Sequence, residues 1–195
     1  MLIKFDEWKN RICDWAKNNK GSYRIIKHVP LGSVGDSFTI EVNIKRNDFN
    51  SIIVSQSGGG TNLEVGLSHL MFENHIAEIY NLDLSLYRRD FLDRLFGSGK
   101  VNIRNKTFNK TFGISTSYKP IAEWLFNDGK IQALFINNKF LVFNISRKEH
   151  KITLKSMKTK FYEEEELQFL LDNFKYIINK LNEYYINKKN GNIFK

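Results

Sequence analysis

Residues 163–188 read EEEELQFLLDNFKYIINKLNEYYINK. Leu167, Leu170, Leu171, Phe174, Ile177, Ile178, Leu181, Tyr184 and Tyr185 recur at steps of three and four, which places them on one side of a helix. Glu163 to Glu166 at its start and Lys188 and Lys189 at its end both complement the helix dipole. Gly191, just beyond, is a natural stop. A helix with so broad an apolar side must dock on a large apolar surface, and the rest of the chain is read as that surface.

Immediately upstream, Lys119 to Phe126 predicts a helix, and Lys130 to Ile136, Phe140 to Ser146 and Lys151 to Ser156 predict three strands. Asn137 and Asn138 fall between two β-rich runs, where asparagine tolerates positive φ, so they predict a hairpin turn. Ser146 to His150 predicts a second, charged turn. Such a meander needs a cover on its apolar face, and the terminal helix supplies it.

At the other end, Phe5, Trp8, Ile12, Trp15 and Ala16 mark a helix from about Ile3 to Asn19, ended by Gly21. Tyr23 to Val29 predicts a short strand and Pro30 to Gly35 a turn. Phe38, Ile40, Val42 and Ile44 alternate with Thr39, Glu41, Asn43 and Lys45, the pattern of a strand with one buried and one wet face. Ser51 to Ser55 continues that pattern, Ser57 to Gly60 breaks it, and Leu63, Val65 and Leu67 resume it. His69 to Tyr80 fits strand or helix, while Leu82, Leu84 and Leu86 favour a strand. Arg89 to Phe96 predicts a short helix ended by Gly97 and Gly99. The fold expected is α+β: antiparallel sheet or sheets covered by a long C-terminal amphipathic helix and an N-terminal helix. It forms one domain over residues 1–195, either undivided or as subdomains 1–87 and 88–195.

Composition narrows the classes of function. With 42% hydrophobic and 14% aromatic residues the chain has enough apolar material for a real core, which argues against disorder. One cysteine excludes an internal disulfide. Asp6, Glu7 and Asp14 interrupt the first twenty residues, which argues against a signal peptide. No apolar run is long enough for a membrane span. A cytoplasmic protein is expected, and the abundance of Lys, Asn and Ile points to a bacterium with an AT-rich genome. The net charge of +9 favours an acidic partner: a protein, a nucleic acid or an anionic membrane face. Arg88 to Lys110 holds seven Lys and Arg against two acids, and Lys139 to Lys160 holds seven against one. The plain alternative is that both are solvated turns and edge strands.

The stretch from Val101 to Ile145 carries Thr107-Phe108-Asn109-Lys110-Thr111-Phe112-Gly113-Ile114, then a short helix and the hairpin expected at Asn137 and Asn138. It resembles part of an uncharacterised bacterial domain family whose members often carry a similar segment and are often attached to membrane spans. The resemblance covers about a quarter of the chain. It implies an α+β fold and brings no catalytic residues with it.

Candidate chemistry is sparse. A helix, three antiparallel strands and a helix also describe the core of restriction-endonuclease-like folds, in which Asp and Glu-x-Lys hold Mg²⁺. Glu149-His150-Lys151 has that spacing, with Asp128 upstream and Glu123 on the preceding helix, but Glu149 falls in a polar turn. Glu7-Trp8-Lys9 has the spacing inside a helix. His69, Glu73 and His75 are close in sequence, yet a helical zinc pair needs an i, i+4 spacing, and on a strand the two histidines stand about 20 Å apart. Phe96-Gly97-Ser98-Gly99-Lys100 lacks the first glycine of a P-loop, and Ser57-Gly58-Gly59-Gly60-Thr61 has no lysine beside it, so both read as turns. Cys13 lies beside the apolar stripe of the first helix and reads as packing. No metal, cofactor or catalytic residue is therefore nominated.

Arg88, Arg89, Arg94, Lys100, Arg104, Lys106 and Lys110 are the residues that would compose a basic face, with Tyr87 alongside and Tyr118 available for stacking. The leading expectation is a non-catalytic module that binds an acidic protein through this face or through an exposed sheet edge. Toxin neutralisation, defence and counter-defence in bacteria are fitting contexts. Nucleic-acid binding is the first alternative and a Mg²⁺-dependent nuclease the second.

Overall fold

A computed structural model describes residues 5–28, 37–47, 50–59, 68–75, 81–90, 101, 103–138, 140–158 and 162–191. In chain order they form α1 (Phe5–Asn18), β1 (Gly21–His28), β2 (Ser37–Asn47), β3 (Asn50–Gly59), β4 (Ser68–His75), β5 (Leu84–Arg88), α2 (Lys106–Thr111), β6 (Phe112–Thr116), α3 (Lys119–Phe126), α4 (Gly129–Asn137), β7 (Val142–Ser146), β8 (Lys151–Lys158) and α5 (Glu164–Lys189). The strands join in one antiparallel sheet in the order β1-β2-β3-β4-β8-β7-β5-β6. The fold is α+β.

Period-two patterning gives this sheet one dry and one wet face. The register carries a single row from Val42 through Val54, Phe72, Leu154, Phe143 and Leu86 to Ile114. Val42, Phe72, Leu154, Phe143, Leu86 and Ile114 are all buried. Their strand neighbours Glu41, Asn43, Lys155, Asn144, Ser85 and Tyr87 are half-buried or exposed. The helices cover the dry face. Phe174 of α5 packs on Phe72 with ring centroids 5.8 Å apart, and Phe126 of α3 and Phe135 of α4 pack on Phe143 at 6.3 and 6.4 Å.

The terminal helix forms as its spacing predicts. Eight of its nine apolar stripe residues are buried and Tyr185 is half-buried. The Glu163 N–H donates to the Glu166 carboxylate at 2.9 Å, and Arg11 of α1 reaches Glu163 at 3.1 Å. Gly191 takes φ of 72°, the left-handed conformation in which a glycine lacks the usual Cβ cost. α1 joins the same core through Trp8, Ile12, Trp15 and Ala16, and the Trp15 indole N–H donates to Gln168 at 3.1 Å.

Five sequence expectations are corrected. Lys130 to Ile136 is helix α4, and Asn137 and Asn138 end that helix rather than making a hairpin. The Asp128 carboxylate accepts from the N–H groups of Lys130 and Ile131 at 3.0 and 3.1 Å, a cap that starts a helix. Ile131, Leu134 and Phe135, spaced three and four apart, all face the core. Consequently there is no three-strand meander after α3: β7 pairs with β8, and their outer neighbours β5 and β4 come from much earlier in the chain. Ser57 to Gly59 does not break β3, because Gly58 and Gly59 stay in register with Phe38 and Ser37. Gly21 does not terminate α1; Lys20 takes the positive φ of 55° and Gly21 opens β1.

Ser68 to His75 resolves as a strand, and Lys106 to Thr116, unassigned from periodicity, is a short helix running directly into β6. The expected turn at Pro30 to Gly35, the run Leu63 to Leu67, residues 76–80 and most of the expected helix Arg89 to Phe96, with Gly97 and Gly99, lie outside the described residues. One sheet contains strands from both 1–87 and 88–195.

Candidate interaction surfaces

At one end of the sheet, where β8 finishes and β7 and α5 begin, four large apolar side chains stand in solvent. Phe140 is 65% exposed, Phe169 51%, Met157 42% and Val142 37%. Strand alternation turns Val142 and Met157 to the wet face, whereas Phe169 sits on α5 between Gln168 and Leu170, off the buried stripe. Two depressions meet at Phe140, Ser156 and Met157. One, of about 460 Å³, runs under Phe169 and Tyr162 to Glu165 and Glu166. The other, of about 320 Å³, runs along Leu141 and Val142 to His69, Arg88 and Lys155. These adjoining depressions, taken together as one groove, are bordered by Glu165 and Glu166 in the first and by His69, Arg88 and Lys155 in the second. Beneath it, the Tyr162 hydroxyl bonds Ser156 at 2.7 Å, and burial holds that phenol's pKa above its ordinary value.

The structure divides the expected basic face. Arg88 is exposed at the end of β5 and lines the groove. Arg89 is half-buried and fixed by two bonds: its N–H donates to the Thr111 carbonyl at 2.9 Å and its Nε to the Phe112 carbonyl at 3.0 Å. With Asn109, Lys110 and Thr111 it borders a separate concavity of about 500 Å³. Lys106 and Lys110 are exposed at the two ends of α2, and exposed Arg104 precedes it, its N–H donating to the Asn127 side chain at 3.0 Å. Arg94 and Lys100 lie outside the described residues. Arg89 and Lys110 are thus brought together, while Arg88 belongs to a different surface. Tyr87 lies flat on Gly113 of the neighbouring strand, where any Cβ would meet the ring at 2.5 Å. Tyr118, half-buried, has the Lys188 ammonium 4.7 Å above its ring.

The residues weighed for a nuclease are dispersed. Asp128 caps α4 and accepts from the Tyr176 hydroxyl at 2.8 Å. Glu149 sits exposed in the β7–β8 turn, 2.9 Å from Lys151, which also reaches Glu73 at 3.2 Å. The Lys151 ammonium holds the Glu149 carboxyl below its usual range. Glu123 is exposed on α3, and the strand that would precede the pair is helix α4. His69 and His75 lie at opposite ends of β4, and His75 leans on Glu73 at 3.4 Å. Among the described residues no three His, Cys, Asp or Glu side chains are placed to share a metal ion. Cys13 is buried as packing in α1. Residues 60 and 61 of the glycine-rich stretch, and 96–100, are outside the described residues; Ser57 to Gly59 are strand.

The wet face also carries a polar trough of about 370 Å³. Its floor is a registered row of Ser115, Ser85, Asn144 and Thr153, with the Ser85 hydroxyl donating to Asn144 at 2.7 Å. Comparison with protein-family models, curated proteins and solved structures finds no match.

Sequence reasoning missed the apolar groove. A signal was present in Phe169, an aromatic residue that does not fit the 3–4 spacing of its own helix. Phe140, read as the first residue of an expected strand, lies just before β7 in the structure. An apolar residue that breaks an otherwise regular stripe marks surface that the fold itself does not cover.

Proposed function

We propose that this chain is a non-catalytic protein-binding module of the bacterial cytoplasm that holds an acidic protein partner, in toxin neutralisation, defence or counter-defence. One observation supports the reading above the others: an apolar centre at Phe140, Val142, Met157 and Phe169 with charged residues at its rim. That is the anatomy of a protein-binding patch, in which a few buried anchors carry most of the affinity and a charged rim selects the partner. Arg88 and Lys155 favour carboxylates at one end, consistent with a chain of net charge +9. Among the described residues no helix is long and apolar enough to cross a membrane.

The test is affinity capture with the wild-type chain and with Phe140→Ser/Phe169→Ser, both sites already in solvent. The expected result is an acidic protein retained by the wild type and weakened at least about tenfold in the variant, with unchanged thermal unfolding. Equal retention by both chains overturns the groove as the binding surface. A second reading, nucleic-acid binding, draws on Arg89 and Lys110 around their concavity, with Arg104 and Lys106 exposed at α2. It requires binding at low salt that falls steeply as salt rises and that Lys106→Ala/Lys110→Ala weakens, with the groove variant unaffected.

A further inference from the structure

The two edges of the sheet differ. β6 is five residues long and both backbone groups of its first residue are taken: the Phe112 N–H donates to the Phe108 carbonyl, and the Phe112 carbonyl accepts from Arg89. β1 is eight residues long, is paired with β2 throughout, and is outermost among the described strands. It contains no proline and pairs with β2 in unbroken register, so no bulge turns its outer side away.

Side chains mark both faces of this edge. Tyr23 and Ile25, opposite buried Val42 and Ile40, are 41% and 42% exposed because the apolar layer ends there. On the wet face Arg24 pairs with Glu41 of β2 and remains largely in solvent. β1 carries Arg24 and Lys27 and no acid, a charge that suits an acidic segment better than a second copy of the same strand.

We propose that β1 is a docking edge for an extended, acidic segment of a partner protein, which adds to the sheet as a further antiparallel strand. Backbone hydrogen bonds supply the register. Apolar side chains of the added strand lie beside Tyr23 and Ile25, and alternate acidic ones lie beside Arg24. The inference rests on the reading of the chain as a protein-binding module but not on the groove, which lies at the β7–β8–α5 end.

The experiment follows backbone amide hydrogen exchange across residues 21–28 with a ten-residue peptide of alternating Glu and Val as probe. A peptide of the same composition with a central proline serves as its control. The expected result is exchange slowed at least about tenfold at alternate amides of β1 by the alternating peptide alone. That slowing should be lost in Tyr23→Lys/Ile25→Lys and kept in Phe140→Ser/Phe169→Ser. Unchanged β1 amides, equal slowing by the proline-interrupted peptide, or slowing confined to β6 overturns it. Slowing that grows with protein concentration when no peptide is present also overturns it, since a second copy would then be the occupant.

Discussion

The hydroxyl of Tyr184 is enclosed and makes no hydrogen bond among the described residues, although the Tyr118 hydroxyl lies nearby. Its ring is used fully, packed 6.0 Å from Trp124 and 5.7 Å from Tyr185. An enclosed hydroxyl that recovers no bond forfeits its hydration, so Tyr184→Phe is expected to leave stability at pH 7 unchanged or raise it by up to about 1 kcal/mol. Burial also pushes the Tyr184 phenol well above its ordinary pKa, and burial followed by the Asp128 bond does the same for Tyr176. For a group raised in this way the stability contribution is intact below the unfolded value of about 10 and is lost as pH rises from there through the folded value. The variant should therefore lose less stability than the wild type above pH 10. Urea midpoints at pH 7 and in the alkaline range check both halves, and a lower midpoint for the variant at pH 7 would show that the hydroxyl is bonded.

α4 shows which elements were legible from sequence. α5, α1 and the alternating strand β2 carry patterns long enough to decide between periods of 3.6 and 2, and each forms where that pattern lies. α4 has only nine residues, rich in Ile, Leu and Phe, and over that length strand and helix patterns overlap. What separates them is Asp128, which lies outside the apolar run and whose carboxylate satisfies two N–H groups of the first turn. The candidate site was legible only in part for a related reason. Charge density pointed to Arg88, Arg89 and Lys110, but whether neighbours in sequence share a surface depends on strand alternation and on pairing partners far along the chain. If the cap decides α4, Asp128→Ala should destabilise by about 1–2 kcal/mol, and Asp128→Asn, which keeps the acceptor, by much less. Chemical denaturation of the two variants measures it, and equal losses would place the effect in the Tyr176 and Lys180 contacts instead.

At the scale of the molecule, the order β4-β8-β7-β5 ties the first half of the chain to the second. β4 pairs with β8 over eight positions, and Phe72 of β4 packs on Phe174 of α5. A chain cut after residue 87 would therefore leave β1 to β4 without their central neighbour and with the Phe72 side of the sheet bare. Long-range pairings of this kind form only once both halves are present, since the loop-closure cost comes before the contacts that offset it. The fragments 1–87 and 88–195 are each expected to show no cooperative thermal transition alone, and their equimolar mixture is expected to regain one. Circular dichroism melts of the three samples decide it. A cooperative transition in either fragment by itself would mean that its half-sheet folds without the other and that the β4–β8 seam joins two finished subdomains.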